Sequence, residues 1–193
     1  MDELAAYLPS ASFEKISFWL EKYNCKLKIT AARSTKLGDY RYSKKGHEIT
    51  INNDLNKYSF LITLTHEIAH MMVRDECKPG RLPHGKEWKD TFQKLMLNFL
   101  PLFPNNILEV LSPHLKNPKA STTSDVRLYK VLREYDEKKY LTVADVKNGD
   151  VFETPNGKKY LMINKVRTRY KCKSLSNNRM YLFSALAEIN KSN

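Results

Sequence analysis

Cysteine is scarce in this chain: three residues in 193, Cys25, Cys77 and Cys172, far apart and with no C-x-x-C pair. An odd, scattered set excludes a disulfide framework and a cysteine-based zinc site, and three reduced thiols are expected. Long apolar runs are also missing. No stretch approaches the roughly 18 to 20 uncharged apolar residues that span a bilayer, so no membrane association is expected. The first residues, Met1-Asp2-Glu3-Leu4, lack the basic stretch and apolar core of a secretory signal, and the expected location is cytoplasmic.

Acidic residues are in short supply relative to basic ones, and the formal net charge is +12. The excess is uneven. Residues 1–125 carry 18 Lys+Arg against 14 Asp+Glu, whereas residues 126–193 carry 15 against 7. The last third therefore holds most of the positive charge, which attracts polyanions through long-range steering and counterion release. The length suffices for one domain with a sizeable core, or a main domain with a small appendage.

Residues 11–23 carry Phe13, Ile16, Leu20 and Tyr23 at helical spacing, with Ser10 or Ser12 available as a cap. From Lys26 to Asn53 the pattern alternates and is punctuated by Gly38 and Gly46, which predicts a short antiparallel meander. Residues 57–74 give the strongest helix signal, with Asn56 or Asp54 as cap. A Pro/Gly loop at 77–83 separates it from a second helix over 85–99, which Pro101 and Pro104 end. A short helix over 105–115 follows, and then a polar connecting segment, taken as 116–139. Beyond 140, short strands near 150–154, 158–167, 169–175 and 179–183 predict a small, mostly β module, SH3-like in character.

The segment that carries chemistry is His66-Glu67-Ile68-Ala69-His70, an H-E-x-x-H sequence inside the strongest predicted helix. Residues i and i+4 share a helix face, so the two imidazoles can converge on one cation. Glu67 lies about 100° around the helix, beside the cation without ligating it. Zinc lowers the pKa of a coordinated water to about 7, and a carboxylate in that position can take its proton. A catalytic zinc needs a third protein ligand and an open position. Three residues qualify by position: His84, after a 13-residue gap, and Glu87 and Asp90 on the second predicted helix. The metzincin plan is excluded, because its downstream Gly and His positions hold Val73 and Glu76.

HisGluIleAlaHis followed by HisGlyLysGluTrp (84–88) resembles the SprT-like metallopeptidases. The preceding helix, the meander and Asn52-Asn53 are similar to that family's catalytic domain, and the likeness covers about residues 10–104. The resemblance implies an α+β fold, with a zincin-like metallopeptidase domain of helices and a small antiparallel sheet over 1–115 and the basic β module over 140–193. It implies His66, His70 and His84 as ligands of one Zn2+ per chain and Glu67 as general base. It implies further that Gly85 allows a tight helix entry and that Trp88 packs on the metal helix. Members of the bacterial type often carry a C-terminal zinc ribbon with paired cysteines. Here only Cys172 lies in that region, so a second zinc is not expected.

Tyr40, Arg41 and Tyr42 precede the metal helix and are candidate oxyanion partners; an edge strand there is a candidate dock for extended substrate. In the last third, Lys165, Arg167, Arg169, Lys171 and Lys173 fall among Tyr160, Tyr170 and Tyr181. Basic residues interleaved with aromatics suit single-stranded nucleic acid, and strand alternation predicts that Arg167, Arg169, Lys171 and Lys173 share one face. Eukaryotic relatives within the resembled family cleave proteins crosslinked to DNA, which makes DNA a candidate partner. The expected function is thus zinc-dependent hydrolysis of exposed or unstructured protein segments, with DNA-associated proteins among the candidates. The alternative is a non-enzymatic nucleic-acid-binding protein with a structural zinc clip, but such a clip has no use for Glu67.

Overall fold

Two periodicities divide the chain, helical in the first part and alternating in the last. The computed structural model describes residues 2–33, 35–77, 82–121, 124–137 and 141–191. It is α+β and separates into two units, Met1–Glu137 and Lys138–Asn193. Residues 78–81 of the expected Pro/Gly loop, and 122–123 and 138–139 of the expected connector, lie outside the described residues.

The first unit contains α1 (Asp2–Ala6), α2 (Phe13–Lys22), β1 (Lys26–Thr30), β2 (Gly38–Ser43), β3 (Gly46–Asn52), α3 (Lys57–Glu76), α4 (Lys86–Leu97), α5 (Asn105–Lys116) and α6 (Val126–Arg133). Helix α3 is the centre of this unit. Phe60, Leu61, Ile62, Leu64, Ile68, Ala69, Met71 and Met72 are buried, leaving little of its circumference to solvent. Its start is fixed by Asn56, whose side-chain oxygen accepts from the backbone N–H groups of Tyr58 and Ser59. Ser12 occupies the N-cap of α2 without a side-chain capping bond; its hydroxyl donates instead to the Pro9 carbonyl.

The three strands do not form the expected antiparallel meander. Their order is β1-β3-β2, with β2 antiparallel and β1 parallel to β3. The cause is Asn52, which is 1% exposed at the end of β3. Its amide nitrogen donates to the carbonyls of Arg33 and Lys36, its side-chain oxygen accepts from Arg33 Nε, and its backbone N–H donates to Leu37. These bonds bend the segment after β1 around the end of β3, so β2 takes the far side. Strand β3, with Ile49 and Ile51 fully buried, is thereby central.

The stretch 116–139, expected as a connector, contains α6. Its Leu128 and Leu132 join the core of the first unit. Asp125 caps the helix by accepting from the Leu128 N–H and pairs with the buried His114 of α5 at 3.1 Å. The Asn56 amide also donates to the Leu132 carbonyl, which fastens α6 to the first turn of α3.

The second unit is a six-stranded antiparallel sheet: β4 (Leu141–Thr142), β5 (Val151–Glu153), β6 (Lys159–Val166), β7 (Arg169–Ser174), β8 (Met180–Ser184) and β9 (Glu188–Lys191). Its order is β4-β9-β5-β6-β7-β8. Val143, Phe152, Tyr160, Met162, Cys172 and Ile189 form its core. No helix among the described residues is long and apolar enough to cross a membrane.

Candidate metal centre

His66 and His70 lie one turn apart on α3, and His84 reaches them from the turn before α4. Their Nε2 atoms form a triangle with sides of 3.1, 3.2 and 2.9 Å. Hydrogen bonds cannot satisfy all three sides, because each neutral Nε2 offers either one proton or one lone pair. Tetrahedral zinc, with Zn–N of about 2.0–2.1 Å, spaces its nitrogens roughly 3.3 Å apart. The donor set therefore fits zinc in both spacing and chemistry. Among the described residues this is the one cluster of His, Cys, Asp and Glu whose ligand atoms converge, and Glu87 and Asp90 are not in it.

Burial, and then the neighbouring imidazoles, hold the ring pKa values down: His66 far below its ordinary value and His70 at about 4. His84 is lowered by burial as well. All three rings are thus neutral at physiological pH, which is the ligating state. The indole of Trp88, 1% exposed, forms their floor, with ring centroids 4.5, 5.3 and 4.7 Å from His66, His70 and His84. Its Nε1 donates to the His66 carbonyl at 3.4 Å. Phe92 stacks beneath it, with ring planes 10° apart.

His84 is delivered by an uncommon backbone. Its φ is +59°, in the left-handed region that non-glycine residues seldom adopt outside functional or turn positions. The tight entry expected at Gly85 is thus made by His84 itself, since Gly85 has a φ of −70°. Gly85 serves close approach instead. A Cβ there would meet the Leu82 carbonyl oxygen at 3.0 Å, and the Gly85 N–H donates to that same oxygen.

Glu67 is 7% exposed and faces β2. Burial, and then the charge of Asp39, raise its pKa to about 8, against the Tyr40 backbone N–H bond and the charges of Arg33 and Lys36. A cation nearby draws it down again. Gly38 opens the space this carboxylate needs: a Cβ at Gly38 would lie 2.8 Å from Glu67 Oε1 and 2.8 Å from Thr63 Cγ2. Beside His66 and Glu67 is a cleft of about 210 Å³, walled by residues 35–38 and by Ala120 and Ser121. A larger hollow of about 330 Å³, lined by Leu4, Leu20, Cys25 and Ile29, lies away from the histidines.

The candidate oxyanion partners are engaged elsewhere. The Tyr40 hydroxyl pairs with His47 Nδ1 at 2.9 Å, Arg41 with Asp39 at 2.6 Å, and Tyr42 lies under Arg74 at 4.6 Å. What Tyr40 contributes to the site is its backbone N–H, a role with no sequence signal. Gly38 was visible in the sequence as strand punctuation only, and Ala120 and Ser121 as connector.

In the second unit, three of the four basic residues expected to share one face do so. Arg169, Lys171 and Lys173 alternate along β7 on one side. Arg167 occupies the turn between β6 and β7 with a φ of +53°. Lys165 pairs in register with Tyr170 and lies 5.8 Å from its ring, on the opposite side of the sheet.

Two neutral imidazoles and a buried carboxylate on one helix, joined by a third imidazole from the turn before α4 and framed by a small sheet, are the arrangement of metallopeptidase-like proteins. The SprT-like family model matches residues 6–108, just over half of the chain. The chain belongs to the SprT-like family, whose members are metallopeptidase-like and zinc-associated. No curated protein and no solved structure matches it.

Proposed function

We propose that the first unit is a zincin-like, zinc-dependent metallopeptidase that cuts exposed or unstructured protein segments. The observation that carries this reading is the convergence of three Nε2 atoms beside a buried Glu67 that opens onto a cleft. A purely structural clip would use four protein ligands and would have no need of a buried carboxylate. Bound at His66, His70 and His84, zinc would supply Lewis acidity and an acidified water at its open position.

The chain's own residues do the rest. Glu67 accepts the water's proton at its carboxylate and passes it on to the leaving amine. The Tyr40 N–H and the gap left by Gly38 hold that carboxylate in place. Trp88 keeps the three rings oriented and the floor dry. Strand β2 ends the sheet order and packs against α3, so its outer edge is available to pair with an extended chain. Edge pairing favours unstructured segments, because folded substrates have their backbone groups already paired.

The test is Glu67→Gln. The variant should retain one zinc per chain by elemental analysis and lose hydrolysis of an unfolded casein-type substrate by several hundredfold or more. Full activity in a zinc-loaded variant would remove Glu67 as the base.

A further inference from the structure

The interleaving of basic and aromatic residues in the last third, which in sequence suits a nucleic-acid groove, is undone by the register of the sheet. Arg169, Lys171 and Lys173 on β7 pair with Ser184, Leu182 and Met180 on β8. On the other side of β7, Arg169 pairs with Val166, Lys171 with Asn164 and Lys173 with Leu161, and Leu161 in turn pairs with Val151 of β5. Directly paired residues point to the same side of a sheet. One face therefore carries three cations flanked by Val151, Leu161, Val166, Met180 and Leu182.

The tyrosines are on the other side. Tyr170 pairs with Phe183 and Tyr181 with the buried Cys172, while Tyr160 belongs to the core. The basic face thus offers no aromatic platform, and base stacking is the contact that sequence-tolerant single-strand binders rely on. What it offers instead is aliphatic. Val166, Met180 and Leu182 are 42%, 50% and 55% exposed, an unusual concentration of apolar side chains on one small sheet face. None of the three cations has an acidic partner among the described residues. Strand β8 also ends the sheet order, so its backbone edge is available for pairing.

We propose that this face docks an extended protein segment in which acidic and aliphatic side chains alternate. Carboxylates would pair with Arg169, Lys171 and Lys173, and aliphatic side chains would cover Val166, Met180 and Leu182. The site lies within the second unit, so its partner is a binding partner whether or not the first unit is a peptidase.

The experiment uses the full chain carrying Glu67→Gln, so that no probe is cut. Binding is read by fluorescence anisotropy with a labelled peptide of about ten residues alternating Glu and Leu, roughly the length of two short strands. Oligo-glutamate of equal charge and a single-stranded thymidine oligonucleotide are the comparators at the same ionic strength. The mixed peptide should bind roughly tenfold or more tighter than oligo-glutamate, because two or three half-exposed aliphatic side chains lose water on docking. Charge reversal at Arg169, Lys171 and Lys173 together should abolish binding. Met180→Ser with Leu182→Ser should reduce the mixed peptide to the affinity of oligo-glutamate. All substituted side chains are on the outer face, and circular dichroism verifies that the sheet persists. Equal affinity for both peptides would overturn the proposal, as would tighter binding of the oligonucleotide that ignores the Met180 and Leu182 changes.

Discussion

Replacing Gly38 by alanine adds one methyl group and tests how closely β2 holds the proposed base. The new Cβ would lie 2.8 Å from Glu67 Oε1, 2.8 Å from Thr63 Cγ2 and 3.0 Å from Glu67 Cγ. Ordinary carbon contacts begin near 3.5 Å, so something must give by about 0.5 Å or more. Thr63 is buried on α3, and its β-branched side chain has few rotamers to turn to. Glu67 is the group that moves, and the Tyr40 N–H bond to it stretches or breaks. Gly38 does not have a left-handed φ, so alanine brings no backbone strain and the whole effect comes from this contact. Overpacking of this kind costs about 1–3 kcal/mol of stability. Displacing a catalytic group by up to 1 Å costs up to about a hundredfold in rate. Zinc content should stay at one per chain, because the histidines are untouched. The assay is kcat/KM on a quenched fluorescent peptide, with zinc analysis and a melting curve on the same preparation. A variant with full zinc, a lowered Tm and wild-type kcat/KM would refute the idea that β2 positions Glu67.

Other outcomes follow from single contacts. His84→Ala should drop bound zinc well below one per chain, whereas Asp90→Ala should not; the reverse result would move the third ligand to α4. Asn56→Ala removes the α3 cap and the tie to α6 at once, and should cost about 1–2 kcal/mol, a few degrees in Tm. Asp125 has its pKa lowered: burial alone would raise it, but the His114 hydrogen bond and the Leu128 N–H outweigh burial. A carboxylate depressed in the folded state stabilises above its unfolded pKa of about 3.9, and that stability is lost as pH falls through the folded value. The Tm gap between wild type and Asp125→Asn should therefore be open at pH 6 and close toward pH 3. A gap independent of pH would mean that Asp125 acts only as a cap.

Helix α3 was legible because its signals agree. Asn56 caps it, apolar residues bury most of it, and the H-E-x-x-H spacing places two imidazoles one turn apart. The third histidine was legible through its resemblance to a family, not through spacing, since a turn with a left-handed His84 leaves no periodic trace. The parallel β1–β3 pairing was hidden because side-chain bonds of Asn52 to a distant loop decide it, and alternation alone cannot choose a strand's neighbour. Helix α6 was hidden by its length. Leu128, Val131 and Leu132 do recur at helical spacing, but over only eight residues after a polar stretch whose Asp125 cap reads as connector. The basic face was half legible: alternation correctly set Arg169, Lys171 and Lys173 together, but Arg167 falls in a turn and register sends the tyrosines behind.

The backbone at His84 has a consequence for the metal-free protein. Three neutral imidazoles crowded together, one of them on a residue held at a φ of +59°, cannot all be satisfied by hydrogen bonds to one another and are pressed together by the rest of the fold. A cation bound there would turn that crowding into bonds, and part of its affinity would be relief of a tension already built in. Chelation should therefore loosen the chain first between Leu82 and Gly85, where a protease added from outside would find its earliest cut.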